Sequence, residues 1–151
     1  MIRVTRLMIG LLVIAPGLAP GDETSDKDKT IKREMKLLEG SWEKVSRVAD
    51  GEEVPRLPAE DPLRLTLKQG KFTIEFKDGK VVEDGTFKID PTVRPKLLDM
   101  SGRGGNEMPG VYELTKDELK ICSAPRGKER PTKVASEKGS GYIIDTWKRL
   151  K

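Results

Sequence analysis

From Gly40 to Arg149, apolar residues recur at every second position in short runs broken by turn signals, and this pattern limits the fold more than any other feature. LRLTLK at 63–68 places Leu63, Leu65 and Leu67 on one face. FTIEFK at 72–77 does the same with Phe72, Ile74 and Phe76, and turns Thr73, Glu75 and Lys77 the other way. SWEKVSRV (41–48), KVVE (80–83), GTFKI (85–89), KLLDM (96–100), GVYEL (110–114), ELKIC (118–122) and YIIDTWKR (142–149) complete the set. Between them stand Asp50-Gly51, Gln69-Gly70, Asp78-Gly79, Asp90-Pro91 and Thr115-Lys116-Asp117, the residue types of tight turns and hairpins. About eight strands in meander order are expected. Periodicity alone is equally compatible with a sandwich, but a meander that is apolar on one face closes most simply as a barrel, which removes its exposed edges. The expected fold is therefore all-β: a small eight-stranded antiparallel up-and-down barrel. Its core is read as Leu65, Leu67, Phe72, Ile74, Phe76, Phe87, Leu98, Tyr112, Leu114, Leu119, Ile121 and Ile144. One stretch alternates unevenly: Trp42 and Val45 fall on opposite faces unless a bulge intervenes.

Residues 31–39 (IKREMKLLE) have a different period, with Ile31, Met35 and Leu38 at helical spacing, and read as a short helix packed on the barrel. Residues 22–30 (DETSDKDKT) contain no apolar residue and read as a flexible leader. Ahead of them, Arg3 and Arg6 precede an apolar run, Leu7 to Ile14, and then the small and turn-forming residues APGLAPG. That order is a secretory signal peptide over 1–21, with cleavage after Gly21 preferred to cleavage after Ala19, which leaves Pro20 beside the cut. Eight apolar residues are too few to span a bilayer. The expected location is periplasmic or secreted, with membrane contact only through the signal peptide.

The 151 residues include no histidine and one cysteine, Cys122. Ser-His-Asp and Cys-His catalysis, histidine or cysteine-cluster zinc sites and an intrachain disulfide are all excluded. No cofactor or metal is read from the chain. Loss of Arg3 and Arg6 with the signal lowers the net charge of +4 by two. Basic and acidic residues alternate throughout (DKDK, KREMK, KDELK), which describes a solvated surface and not a nucleic-acid stripe.

Few constellations suggest chemistry. Arg103-Gly104-Gly105 lacks the strand–loop–helix context of a phosphate loop. The glycine-rich 101–109 and the proline-containing 123–141 read as loops at a barrel rim, and PRGKERPTK (125–133) within the second is basic. The carboxylates Asp99, Glu113, Asp117 and Glu118 show neither the desolvation nor the spacing that acid–base catalysis needs. No enzymatic activity is expected. Cys122, at a strand end, reads as a buried small hydrophobe. Asp99 and Arg130 each interrupt an apolar or proline-constrained context, and an ion pair between them is expected to join the 96–100 strand to the 123–141 loop.

Leu38-Glu39-Gly40-Ser41-Trp42 resembles the Gly-x-Trp opening of lipocalin-type barrels, and Lys148-Arg149 follows the last strand in the matching place. The segments GTFKIDPT (85–92), RPKLLDM (94–100), GVYEL (110–114), LKICSAPRGKERPTK (119–133) and WKR (147–149) resemble a lipocalin-like domain family of exported planctomycete bacterial proteins. The resemblance covers nearly all of 37–149. It implies that 31–151 is one lipocalin-like barrel domain, that Trp42 packs across its closed end, and that Arg149 lies over the indole ring. It carries no established reaction or ligand. The functional expectation is a binding module for a small apolar or amphipathic molecule, with Tyr112 and Arg130 as polar groups of the pocket. The alternative is a structural or protein-interaction module with a filled barrel, acting through the loops at 101–109 and 123–141.

Overall fold

The structure, a computed structural model, describes residues 22–56 and 62–151; the segment read as a signal peptide lies outside them. One helix, α1 (Asp22–Leu38), precedes strands β1 (Gly40–Ala49), β2 (Glu52–Glu53), β3 (Arg64–Lys68), β4 (Lys71–Glu75), β5 (Val81–Asp90), β6 (Lys96–Gly102), β7 (Asn106–Leu114), β8 (Glu118–Ser123) and β9 (Ile143–Arg149). Each strand pairs antiparallel with its neighbour in the order β1-β3-β4-β5-β6-β7-β8-β9, and β9 returns to β1. Eight strands thus form a closed up-and-down barrel, with β2 added to the outer end of β1.

Local chemistry explains the connections. At Gln69-Gly70 both φ values are positive, 50° and 73°. That two-residue turn twists with the strands it joins, so β3 and β4 pair through to Lys68 and Lys71. Residues 80–83 and 85–89 belong to one strand, β5, because Gly85 pairs with both Phe72 and Gly102 and does not interrupt the ladder. The expected loop at 101–109 is corrected to a hairpin. Gly102 pairs with Asn106, Ser101 with Glu107 and Met100 with Met108, leaving only Arg103, Gly104 and Gly105 to turn. Ser101 and Glu107 face outward while Met100 and Met108 pack on the core. The 123–141 segment does lack strands after Ser123, but it does not stand at the rim. It crosses the outer face of β7, β8 and β9, where Val111, Cys122, Ala124 and Pro131 are all buried. Cys122 is the buried residue expected, with its thiol against the Ala135 carbonyl at 3.5 Å and pushed up in pKa by burial.

The helix is longer than the periodicity of 31–39 indicates, since residues 22–30 are helical as well. Lys36 stands in its last turn, where a cation suits the negative end of the helix dipole. Lys27 reaches Asp90 at the end of β5 at 2.8 Å, which ties the polar half of the helix to the barrel.

The interior holds Leu38, Trp42, Leu65, Leu67, Phe72, Phe87, Leu98, Met100, Tyr112, Leu119, Ile121 and Trp147 as one buried cluster. Ile74 and Leu114 pack against its edge, as does Met35 from α1. Two expected core residues are elsewhere. Phe76 lies past the end of β4, where its N–H closes the turn onto Lys80. Ile144 faces outward, because β9 turns Ile143, Asp145 and Trp147 inward.

The helix end of the barrel is sealed by one group. The Arg149 guanidinium lies 4.0 Å from the Trp42 ring centre. It donates to the Leu37, Glu39 and Lys116 carbonyls at 2.6, 2.9 and 3.0 Å. Trp42, fully buried, donates its indole N–H to Leu38 O at 3.0 Å. The carbonyls that end α1 therefore find donors on β1 and β9, which is what a buried helix terminus requires. Gly40 enables this, as its φ of 131° is poorly tolerated by other residues and a Cβ there would meet Arg149 Nη1 at 3.0 Å.

Two outcomes follow from this anatomy. Arg149→Ala should lower unfolding free energy by about 3 kcal/mol, from the lost cation–π contact and charge-assisted hydrogen bonds. Arg149→Lys should restore only part of it, because an ammonium cannot span three carbonyls. Urea titration followed by tryptophan fluorescence measures both; two wild-type midpoints would refute the seal. The Asp90 carboxyl is held down at about 2, first by Lys27 and then by the Thr92 hydroxyl and N–H. A carboxylate depressed in the folded state stabilises it above the ordinary value and stops doing so as pH falls toward 2. Lys27→Met should move the Asp90 titration upward in carboxyl-carbon NMR, and an unmoved titration would place the cause elsewhere.

Candidate binding site at the open end of the barrel

Opposite the sealed end, the barrel interior forms a cavity of about 250 Å³. Its floor and walls are apolar: Leu65 and Ile74 from β3 and β4, Leu98, Met100 and Met108 from β6 and β7, Ile121 from β8 and Trp147 from β9. Lys44, Arg47, Asp145, Glu83 and Ser123 stand among them.

The charged side chains reach this place through the bulge in β1. Lys44 pairs with Trp147 and Ser46 with Thr146, so Val45 is the extra residue. A bulge reverses the alternation beyond it. Trp42 and Lys44 face inward before it, Arg47 faces inward after it, and Val45 is left outside at 39% exposure. Both cations consequently meet Asp145, which β9 presents from across the closure. Arg47 binds it with two parallel bonds, Nε to Oδ1 and Nη2 to Oδ2, each 2.7 Å. Lys44 Nζ lies 2.9 Å from Oδ1 and 5.3 Å from the Trp147 ring centre. Burial pulls the Lys44 ammonium below its ordinary pKa, against the opposing pull of Asp145. The Arg47 guanidinium is raised by its bond to the same carboxylate. Two cations thus share one anion in a partly desolvated wall.

The two expected pocket residues are not brought together. Tyr112 is buried at the sealed end, where its hydroxyl donates to Glu34 Oε1 of α1 at 3.2 Å. Lys96 pairs with the same carboxylate and lies over the Tyr112 ring at 5.7 Å. Burial, then the Glu34 charge, push the phenol well above its ordinary range. Tyr112 therefore anchors the helix. Arg130 lies on the outer surface, where Nη1 donates to Gly110 O at 2.8 Å and sits 2.6 Å from Asp99 Oδ1. The ion pair expected between Asp99 and Arg130 is present, although Asp99 Oδ1 receives charge contact and no aligned hydrogen bond. Gly110 itself is confined by its neighbouring strands, since a Cβ there would meet Cys122 O at 2.8 Å and Leu98 O at 3.2 Å. Neither Tyr112 nor Arg130 lines the cavity. Lys44, Arg47 and Asp145 do, and the one sequence signal for them was the uneven alternation of 42–48.

Among the described residues, no group of three acidic, cysteine or histidine side chains gathers to hold a metal, and no helix is long and apolar enough to cross a membrane. No protein-family model, curated protein or solved structure matches the chain. What fold and site define is a class by geometry: a closed eight-stranded antiparallel barrel, plugged by a helix at one end and cupped at the other.

Asp145→Asn should leave Lys44 and Arg47 uncompensated and cost about 2 kcal/mol at neutral pH, less than a fully buried pair because Arg47 is half exposed. Removing Asp145 also deepens the lowering of Lys44. Where the folded pKa lies below the unfolded one, the unfolded chain holds the extra proton, so stability from this group rises with pH up to the ordinary lysine value. The variant's deficit should therefore shrink between pH 7 and pH 9.5 in urea titrations. A deficit that is constant or grows would contradict a buried Lys44.

Proposed function

We propose that this protein is an exported, lipocalin-like carrier that holds one small amphipathic molecule in its open-end cavity. The observation that carries the reading is the cavity itself, which combines apolar walls with a few converging polar groups, as ligand sites do. At about 250 Å³ it is smaller than a pocket for a drug-sized molecule and suits a ligand of fewer atoms. Export is supported by Arg3, Arg6 and the Leu7 to Ile14 run. The lipocalin-like assignment rests on Gly40-Ser41-Trp42 and the segments from 85 to 149. Binding is favoured over catalysis because the chain has no histidine and its cavity holds no nucleophile–base pair of familiar type. Its ionisable groups neutralise one another instead.

A second reading draws on the same small volume. The barrel is then a filled scaffold, and the work is done by the strap at 124–142, which exposes Arg126, Lys128 and Lys133.

Native mass spectrometry of protein purified from a periplasm distinguishes the two. The carrier is expected to show an added small-molecule mass that is lost in Met108→Trp, where the new indole fills the cavity. A clean apo mass, with no small apolar probe taken up by the wild type, would favour the filled scaffold.

A further inference from the structure

The carrier reading leaves the ligand's polar end unspecified, and the charges around the cavity specify it. Lys44 and Arg47 share the single carboxylate of Asp145, so the β1–β9 wall carries one uncompensated positive charge beside apolar surface. An ammonium has three donors, and Lys44 directs one toward Asp145 Oδ1. Its side chain is only 14% exposed, so water satisfies the remainder poorly. The other ionisable group in the wall is Glu83, across the barrel on β5. Its carboxylate leans over Gly102, in the space that a Cβ there would occupy. The neighbouring Arg103 is engaged by Asp84 at 2.8 Å and does not neutralise it. The mouth is therefore polarised, with excess positive charge on one side and a carboxylate on the other.

Resting on the carrier reading, we propose that the cavity takes a small monocarboxylate with an apolar body, its head group completing the Lys44–Asp145–Arg47 cluster. Glu83 then acts as a filter: it repels a second anionic end, so dicarboxylates of the same length are rejected. The cavity volume equals roughly eight water molecules at about 30 Å³ each. Hexanoate, with a comparable number of non-hydrogen atoms, is a fitting probe.

The test is isothermal titration of the full exported chain with hexanoate, 1-hexanol, hexylamine and adipate. Hexanoate is expected to bind about tenfold or more tightly than hexanol, as a charge-assisted hydrogen bond in a partly dry site allows. Adipate is expected not to bind, and hexylamine to bind no more tightly than hexanol. Lys44→Met should remove the preference for hexanoate while hexanol binding persists, which also shows that the variant is folded. Glu83→Gln should admit adipate and leave hexanol unchanged. Equal binding of hexanoate, hexanol and hexylamine would overturn the head-group inference and leave the carrier reading intact. No binding of any probe would overturn both. Rejection of adipate that survives Glu83→Gln would overturn the filter.

Discussion

The closure of β1 on β9 is the constraint on which the remaining structure depends, and the Trp42–Arg149 pair sets its register. Trp42 stands opposite Arg149 in that ladder. A strand that slips by one residue exchanges its two faces completely. With Arg149 held over the indole and hydrogen-bonded to the end of α1, the odd-numbered residues of β9 must face inward. Trp147 then joins the core, Asp145 enters the cavity wall, and Ile144 goes to the outer face beside Cys122. A local contact at one end thus decides which chemistry appears at the other.

The bulge at Val45 is the complementary device. Without it, β1 would present either Lys44 or Arg47 to Asp145, not both. One carboxylate with a single cation would leave the wall neutral. The extra residue places two cations there, at some cost, since burying charge is unfavourable unless it is well paired. Local rules are most often broken at sites that do something other than stabilise. The cluster has that character: two positive groups, one negative, and an apolar cup beneath.

How much of this could be read from the chain depends on the distance over which each feature is determined. Turn chemistry and alternation act over a few residues, so Gln69-Gly70, Asp78-Gly79 and the alternating runs marked out the meander, while its closure rested on the avoidance of exposed edges. The seal was legible only through the resemblance that Gly40, Trp42 and Arg149 carry, and the Asp99–Arg130 contact through the awkward setting of each residue. The hairpin at 102–106 was hidden because its glycines and polar side chains resemble a loop, while the two methionines that hold it inward are separated by the turn. The first half of α1 was hidden because it is tied to the barrel by a long-range ion pair, Lys27 to Asp90, which local periodicity cannot reveal. The site was hidden for a deeper reason. The inward direction of Asp145 follows from the closure register, and a core containing Ile144 is inconsistent with Arg149 above Trp42. Applying parity along β9 from Arg149 would have exposed that conflict and placed Asp145 inside. Polarity alone recommends Tyr112 and Arg130 from the sequence, but the fold engages them with Glu34 and Asp99.

The two ends of the barrel also differ in how firmly they are built. The sealed end gathers Trp42, Phe72, Phe87 and Tyr112, large rigid groups packed under a docked helix. The cup is walled by Leu65, Leu98 and Ile121 but also by Met100 and Met108, which face each other across β6 and β7. Methionine is unbranched and polarisable and adapts to irregular shapes. On the carrier reading, such a wall would discriminate weakly by ligand shape. The fixed element beside it is the bidentate Arg47–Asp145 pair, whose planar geometry admits little variation. Selection at this end would then fall to charge, with the apolar wall adjusting to the body that the head group carries in. Rigidity at the seal would permit that tolerance, because the register holding the charges in place is secured far from the surface that yields.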